Sequence, residues 1–156
     1  MNVAKIYAGY KVQTVGDTIF DPIRQKYVHL TPEEVVRQKT VKFLTKRLEV
    51  PQSRIMVERS LGTLGVEGSK KRIDIGILDD EGLLTGIVEC KASLTFYDEA
   101  AHTQAQDYLL SLNARYFFVT DGCRFNGYYH DDAQFIRLEE LPSYDRWYHY
   151  PTAKEQ

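Results

Sequence analysis

Cysteine is nearly absent: Cys90 and Cys123 are the only two in 156 residues, and no CxxC spacing occurs. This excludes a disulfide-stapled scaffold and a cysteine zinc site, and leaves two reduced thiols in a cytoplasmic protein as the expectation. Long apolar runs are also missing, since no stretch approaches the roughly 20 residues that cross a bilayer. The start, "MNVAKIYAGYKV", has neither an apolar h-region nor a small-residue cleavage site, so neither membrane insertion nor secretion is expected. Charge of one sign is scarce: the net charge of −2 argues against a generic polyanion binder held by bulk charge. A nuclease stays open, because acids gathered for a metal lower the total while a local basic patch can still meet phosphate. No G-x-x-x-x-G-K-[ST] is found, and "GTLGVEGSKK" has glycines at the wrong spacing for a phosphate-binding loop. Neither G-x-S-x-G nor a Cys–His arrangement offers a covalent nucleophile. His29, His130 and His149 show no metal-ligand spacing, and His102 is of interest only for its position two residues before Gln104.

What is present is an ordinary globular composition, 43% apolar and 27% charged, of a length that suits one compact domain over 1–156. "KIYAGYKVQTV" and "KYVHL" read as short strands, with Asp21-Pro22 as a break between them. The clearest helix is "TPEEVVRQKTVKFLTKRLEVP". Thr31 suits the N-cap, Pro32 the first turn, Glu34 a capping box, and Pro51 the stop. Val36, Phe43, Leu44 and Leu48 follow helical spacing. "RIMVERSL" reads as a strand, 72–91 as a hairpin, and 96–113 as a second helix. "RYFFVTDG", "RFNGYYH" and "AQFIRL" read as three more strands. The order β–α–βββ–α–βββ predicts an α/β (α+β) domain with a central mixed sheet flanked by helices. The tyrosines and Trp147 of the last third are expected to fill a core, with base stacking or a contact between copies of the chain as the other uses.

The hairpin "RIDIGILDDEGLLTGIVECK" carries Asp74, Glu89 and Lys91 where apolar residues would pack more cheaply. Alternation puts Ile73, Ile75 and Ile77 on one face and Arg72, Asp74 and Gly76 on the other. On the return strand Thr85, Ile87, Glu89 and Lys91 oppose the apolar set. If Glu81-Gly82 is a two-residue turn, Asp74 lies across from Glu89 with Cβ atoms about 4.5–5.5 Å apart. Two opposed carboxylates repel unless a cation sits between them. Mg²⁺ sites use one or two carboxylates with water and phosphate. Such an ion with a lysine beside it suits phosphodiester hydrolysis. Two other readings fit the same spacing: a solvated strand face with Lys91 as a salt-bridge partner, or a three-residue turn that shifts the register and separates the two acids. Glu58 reads first as a solvated strand position, with a further polar group at the cleft as the other reading, and Lys70, Lys71 and Arg72 as a solvated basic loop able to contact phosphate.

"DPIRQKYVHLTPEEVVRQKTVKFL", "VERSL", "KKRIDIGIL", "GIVECKA" and "TQAQDYLLSLNARYFFVTDG", in this order over about 20–122, resemble the N-terminal nuclease domain of type I restriction endonuclease R subunits. That family falls in the PD-(D/E)xK nuclease superfamily. The resemblance implies a restriction-endonuclease-like α-β-β-β-α-β core, with residues 123–156 as appended strands and aromatic tail. It implies Asp74, Glu89 and the Cys90 backbone carbonyl as ligands of Mg²⁺ or Mn²⁺, and Lys91 as the catalytic lysine. Glu34 corresponds to the first-helix acid that joins the metal cluster, although a capping box explains it equally. Gln104 and Tyr108 match a Q-x-x-x-Y signature near the site and the DNA, although a helix-surface pair explains them too. Position 73 is Ile where the superfamily name has Pro. With no motor sequence, ATP-driven translocation is not implied, so DNA and a protein partner supplying specificity or a motor are the expected partners. A non-catalytic module that binds nucleic acid or docks a partner is the alternative.

Overall fold

The computed structural model describes residues 1–91, 112, 114–131 and 134–149 of the chain. The second helix expected over 96–113, with His102, Gln104 and Tyr108, lies outside the described residues apart from Leu112, which is helical. Three short strands, β1 (Thr14–Val15), β2 (Thr18–Asp21) and β3 (Lys26–His29), form a small antiparallel sheet. The main sheet has six strands in the order β4 (Ile55–Ser60), β5 (Arg72–Leu78), β6 (Leu84–Cys90), β7 (Tyr116–Thr120), β8 (Phe125–Asp131) and β9 (Gln134–Arg137). Only β6 and β7 run parallel, so the sheet is mixed and the fold α+β, as expected.

The N-terminal segment departs from expectation. Instead of a strand over 5–15 there is a short helix, α1 (Ala4–Ala8), before the two-residue β1. Val3 and Tyr7 are buried four residues apart, a helical spacing that the loose alternation of this stretch conceals. Strand β2 was not anticipated, whereas β3 falls within "KYVHL".

Helix α2 (Pro32–Lys46) starts at the expected cap, where Thr31 Oγ1 accepts the Glu34 backbone N–H at 3.0 Å. Its buried face is polar at the start, with Glu34, Arg37 and Gln38, and apolar at the end, with Val41, Phe43 and Leu44. The apolar end packs on one sheet face in a cluster that includes Tyr7, Leu48, Ile75, Ile77, Val88, Cys90, Tyr116, Phe118, Phe125, Tyr144 and Trp147. The other face carries a smaller cluster of Leu61, Ile73, Ile87, Ala114, Phe117 and Val119. Tyr144 and Trp147 of the aromatic tail are core, as expected. Trp147 stacks near Tyr116 at 4.8 Å and Phe118 at 5.4 Å, and its indole N–H donates to the Pro142 carbonyl at 3.0 Å. Gly86 admits that ring, since a Cβ there would stand 3.1 Å from the indole.

The hairpin reaches the expected register by another route. Ile75 pairs with Val88, Gly76 with Ile87 and Ile77 with Gly86, but Leu78 pairs with Leu84. The turn is wider than two residues: Asp79 N–H donates to the Leu83 carbonyl, and Asp79 Oδ1 accepts from the Glu81 and Leu83 N–H groups. A turn of this length alone would slip the strands by one residue. A bulge leaves Thr85 without a β5 partner and restores the alignment, while the Thr85 carbonyl accepts from Arg115 N–H. A second irregularity lies across β5. The β4–β5 ladder skips Glu58 and Asp74 between Val57–Ile75 and Arg59–Ile73, and Glu58 has φ 55°. Alternation breaks there, so Ile73 packs in the smaller cluster while Ile75 and Ile77 pack beneath α2, not all three on one face as expected.

Truncating Trp147 should remove a core ring that belongs to the sheet and not to a loose tail. Trp147→Ala is expected to cost about 3–5 kcal/mol in urea unfolding; a change below about 1 kcal/mol would show the ring to be peripheral.

Candidate active site

Asp74 lies beside Glu89 just past the last paired positions, Ile75–Val88, close enough for its charge to act on the Glu89 carboxyl. Both are buried, at 9% and 6% exposure. Asp74 Oδ2 accepts the Cys90 backbone N–H at 2.9 Å, which ties β5 to β6 where the carboxylates meet. Lys91, the residue after β6, has Nζ 3.8 Å from Glu89 Oε2 and is about one-third exposed. The three residues picked from the hairpin therefore converge. Glu89 Oε1 is buried with no hydrogen-bond partner among the described residues. Burial, then the neighbouring Asp74 charge, push the Glu89 carboxyl up to about 8, against the pull of Lys91.

What unites the cluster is a residue that pattern reading missed. Arg37 is buried at 6% exposure and donates from Nη2 to Asp74 Oδ1 at 2.8 Å and to Glu58 Oε1 at 2.6 Å. Its Nη1 donates to Glu34 Oε1 at 2.8 Å, and Glu33 Oε1 lies 3.5 Å from Nη2. Burial works against the charge on Arg37, but the bond to Asp74 and the charges of Glu34, Asp74 and Glu58 hold its pKa above the ordinary value. Extending the apolar stripe of Leu48, Leu44 and Val41 back by turns of the helix reaches Arg37, Gln38 and Glu34. That was the available signal.

Glu34 sits in this cluster with both oxygens engaged. Oε1 accepts from Arg37 and from Arg24 at 2.7 Å, and Oε2 accepts from Gln38 at 3.2 Å. Its carboxylate thus turns inward, and only the Thr31 half of the capping arrangement forms among the described residues. Arg24 is in turn bonded to the fully buried Asp21, whose Oδ1 accepts the Ile23 and Arg24 N–H groups. Asp21-Pro22 is therefore more than a break, because it anchors Arg24 toward Glu34. Glu33, half-exposed, is the α2 acid with an open side; burial and Asp74 raise its pKa, and Arg37 and Lys91 lower it. Glu58 is corrected from a solvated position to a member of the cluster, turned there by its left-handed backbone. Lys70, Lys71 and Arg72 are exposed on the approach to Asp74, with Arg72 3.6 Å from Glu58. The Cys90 thiol packs under α2, 4.0 Å from Thr40 Oγ1, which leaves only its backbone to the site.

Among the described residues no three Asp, Glu, His or Cys side chains form a ready metal cage. Two carboxylates do suffice for a Mg²⁺-type site that keeps its waters. The donors fit such an ion in kind and in charge. The linked network holds Asp21, Glu33, Glu34, Glu58, Asp74 and Glu89 against Arg24, Arg37, Arg72 and Lys91, an excess of two negative charges when every acid is ionised and of one while Glu89 keeps its proton.

Comparison with known proteins finds a match over residues 32–142 to the family model described as type I restriction enzyme R protein N terminus. The matched span takes in α2, the hairpin and β7 to β9. No curated protein matches the chain.

The raised Glu89 pKa fixes a sign for the pH dependence of stability. From 4.5 to about 8 the folded protein keeps a proton that the unfolded chain releases. This contribution is full below pH about 4.5 and is lost as pH rises toward 8. Glu89→Gln should therefore melt higher than wild type at pH 8 and close to it at pH 5, read by calorimetry across the window. A gap between the two proteins that does not grow with pH would contradict the assignment.

Proposed function

The chain belongs to the type I restriction enzyme R protein N-terminal family, and on that premise we propose that it is a PD-(D/E)xK-type nuclease domain hydrolysing DNA phosphodiester bonds with Mg²⁺ or Mn²⁺. The observation that carries this reading is the meeting of Asp74, Glu89 and Lys91, with one Glu89 oxygen buried and unpartnered among the described residues. Asp74, Glu89 and the Cys90 backbone would hold the ion, and Glu34 would act through Arg37 and not by direct contact. When bound, the ion supplies charge neutralisation at phosphate and a more acidic water.

The chain's own groups do the positioning. The Lys91 ammonium, free on its solvent side, can orient the attacking water or meet charge growing on the phosphate oxygens. The exposed Lys70, Lys71 and Arg72 lead into the strand that carries Asp74 and would meet the DNA backbone, which sets placement and not sequence. Gln104 and Tyr108 would complete the site from the segment outside the described residues. A protein partner would supply target choice or a motor, and assembly with a second copy of the chain belongs to the same proposal.

A specific observation favours a second reading, a non-catalytic module that binds nucleic acid or docks a partner. Arg37 already places a cation among Glu33, Glu34, Glu58 and Asp74, so this cluster needs no metal to hold together. Calorimetric titration with Mn²⁺ separates the two, because the binding module takes up no metal at this face.

Nicking of supercoiled plasmid DNA in Mg²⁺ or Mn²⁺ tests the first reading. Lys91→Ala and Asp74→Asn are each expected to lose about 10²-fold or more of the cleavage rate, with the circular dichroism spectrum of Lys91→Ala unchanged. Equal nicking by wild type and both variants would show that any cleavage comes from elsewhere.

A further inference from the structure

We propose that Arg37 is a built-in cation that competes with the divalent ion for Asp74, and so sets how tightly this site takes metal. The inference rests on the nuclease reading only for the existence of the site, and it concerns a residue to which that reading gives no contact with the ion. Asp74 has two oxygens and both are spoken for. Oδ2 accepts the Cys90 N–H, so Oδ1 is the oxygen turned to the cluster, and it lies 2.8 Å from Arg37 Nη2. That one nitrogen also reaches Glu58 at 2.6 Å and Glu33 at 3.5 Å. A nitrogen touching carboxylates from α2, β4 and β5 occupies the kind of position that a cation takes between opposed acids.

The replacement is imperfect, which is why the position is contested. A guanidinium brings one charge spread over a planar fork, whereas the linked network carries an excess of two negative charges once Glu89 is ionised. The fork does not reach Glu89, whose Oε1 has no partner among the described residues, and Arg37 Nε is likewise buried without one there. A small divalent ion between Asp74 and Glu89 would satisfy both carboxylates, but it would share Asp74 with a guanidinium 2.8 Å from Oδ1, whose charge weakens that carboxylate's hold on a second cation. Arg37 is held on its other side by Glu34 through Nη1, and Glu34 by Arg24 and Gln38. The guanidinium can therefore loosen from Asp74 while Nη1 stays on Glu34.

Arg37→Lys and Arg37→Gln in the full chain test this, with Mn²⁺ alone as the probe and calorimetric affinity and melting temperature as readouts. Lysine keeps the charge but gives up the fork. Arg37→Lys is expected to bind Mn²⁺ at least 10-fold more tightly than wild type. Arg37→Gln should melt lower than wild type without metal and regain more of its melting temperature on adding Mn²⁺ than wild type gains. A residue that only braces the fold would lower the melting temperature and leave the metal-induced gain unchanged. Should Arg37→Gln fail to fold with and without Mn²⁺, the lysine variant decides. Mn²⁺ affinity in Arg37→Lys equal to or weaker than wild type overturns the proposal and leaves the nuclease reading standing. No uptake by any of the three proteins overturns both. Tighter uptake by the variants with unchanged nicking in Lys91→Ala upholds the competition and removes the nuclease reading.

Discussion

A single buried guanidinium draws together acids that would otherwise repel. Arg37 on α2 binds Glu34 on its own helix, Glu58 on β4 and Asp74 on β5, and thereby fixes how the helix N-terminus meets the sheet. Below it the contact is apolar, through Val41, Phe43 and Leu44. The helix is thus half ion pair and half hydrophobic packing. A buried charge missing one partner is costly, so the network extends outward through Glu34 to Arg24 and Asp21. Segments that look unrelated in the chain, "DPIR", "PEEVVRQ" and "KKRIDIGIL", are joined in one electrostatic chain.

Strand irregularities aim that chain. The positive φ at Glu58 breaks the β4–β5 ladder and swings its carboxylate toward Arg37. The bulge at Thr85 cancels the slip imposed by the Asp79–Leu83 turn, so Glu89 stays beside Asp74. Bulges and strained residues are common where a sheet must redirect side chains. Here both serve the same end, two carboxylates close enough to repel and one amine beside them. The cost shows as a protonation-prone Glu89 and an oxygen unpartnered among the described residues, features expected where charge is held ready for a ligand.

Much of the fold was readable because its signals are local. The α2 start rests on Thr31 and Pro32, and β3, β4, β5, β6 and β7 on short β-rich runs between breakers. Helix α1 was not readable, because one helical turn carries too few residues to show a period. Glu58 was misread because its burial depends on a backbone angle that no side-chain pattern announces. Arg37 was passed over because a charged residue on a helix is normally solvated. Only the knowledge that its face points inward changes that expectation.

The sequence by itself determined the candidate residues, two acids and a lysine in one hairpin, since strand and turn signals follow from residue order alone. It also determined the family, through motifs in fixed order. Tertiary structure decided the rest: that a wide turn and a bulge together preserve the register, that Glu34 is paired away while Glu33 stays open, and that Arg37 stands among the acids. These depend on distances between segments far apart in the chain, and electrostatic contacts carry no sequence period. Local pattern can therefore name the charges at such a site, but only the packing of α2 on the sheet decides which of them neutralise one another.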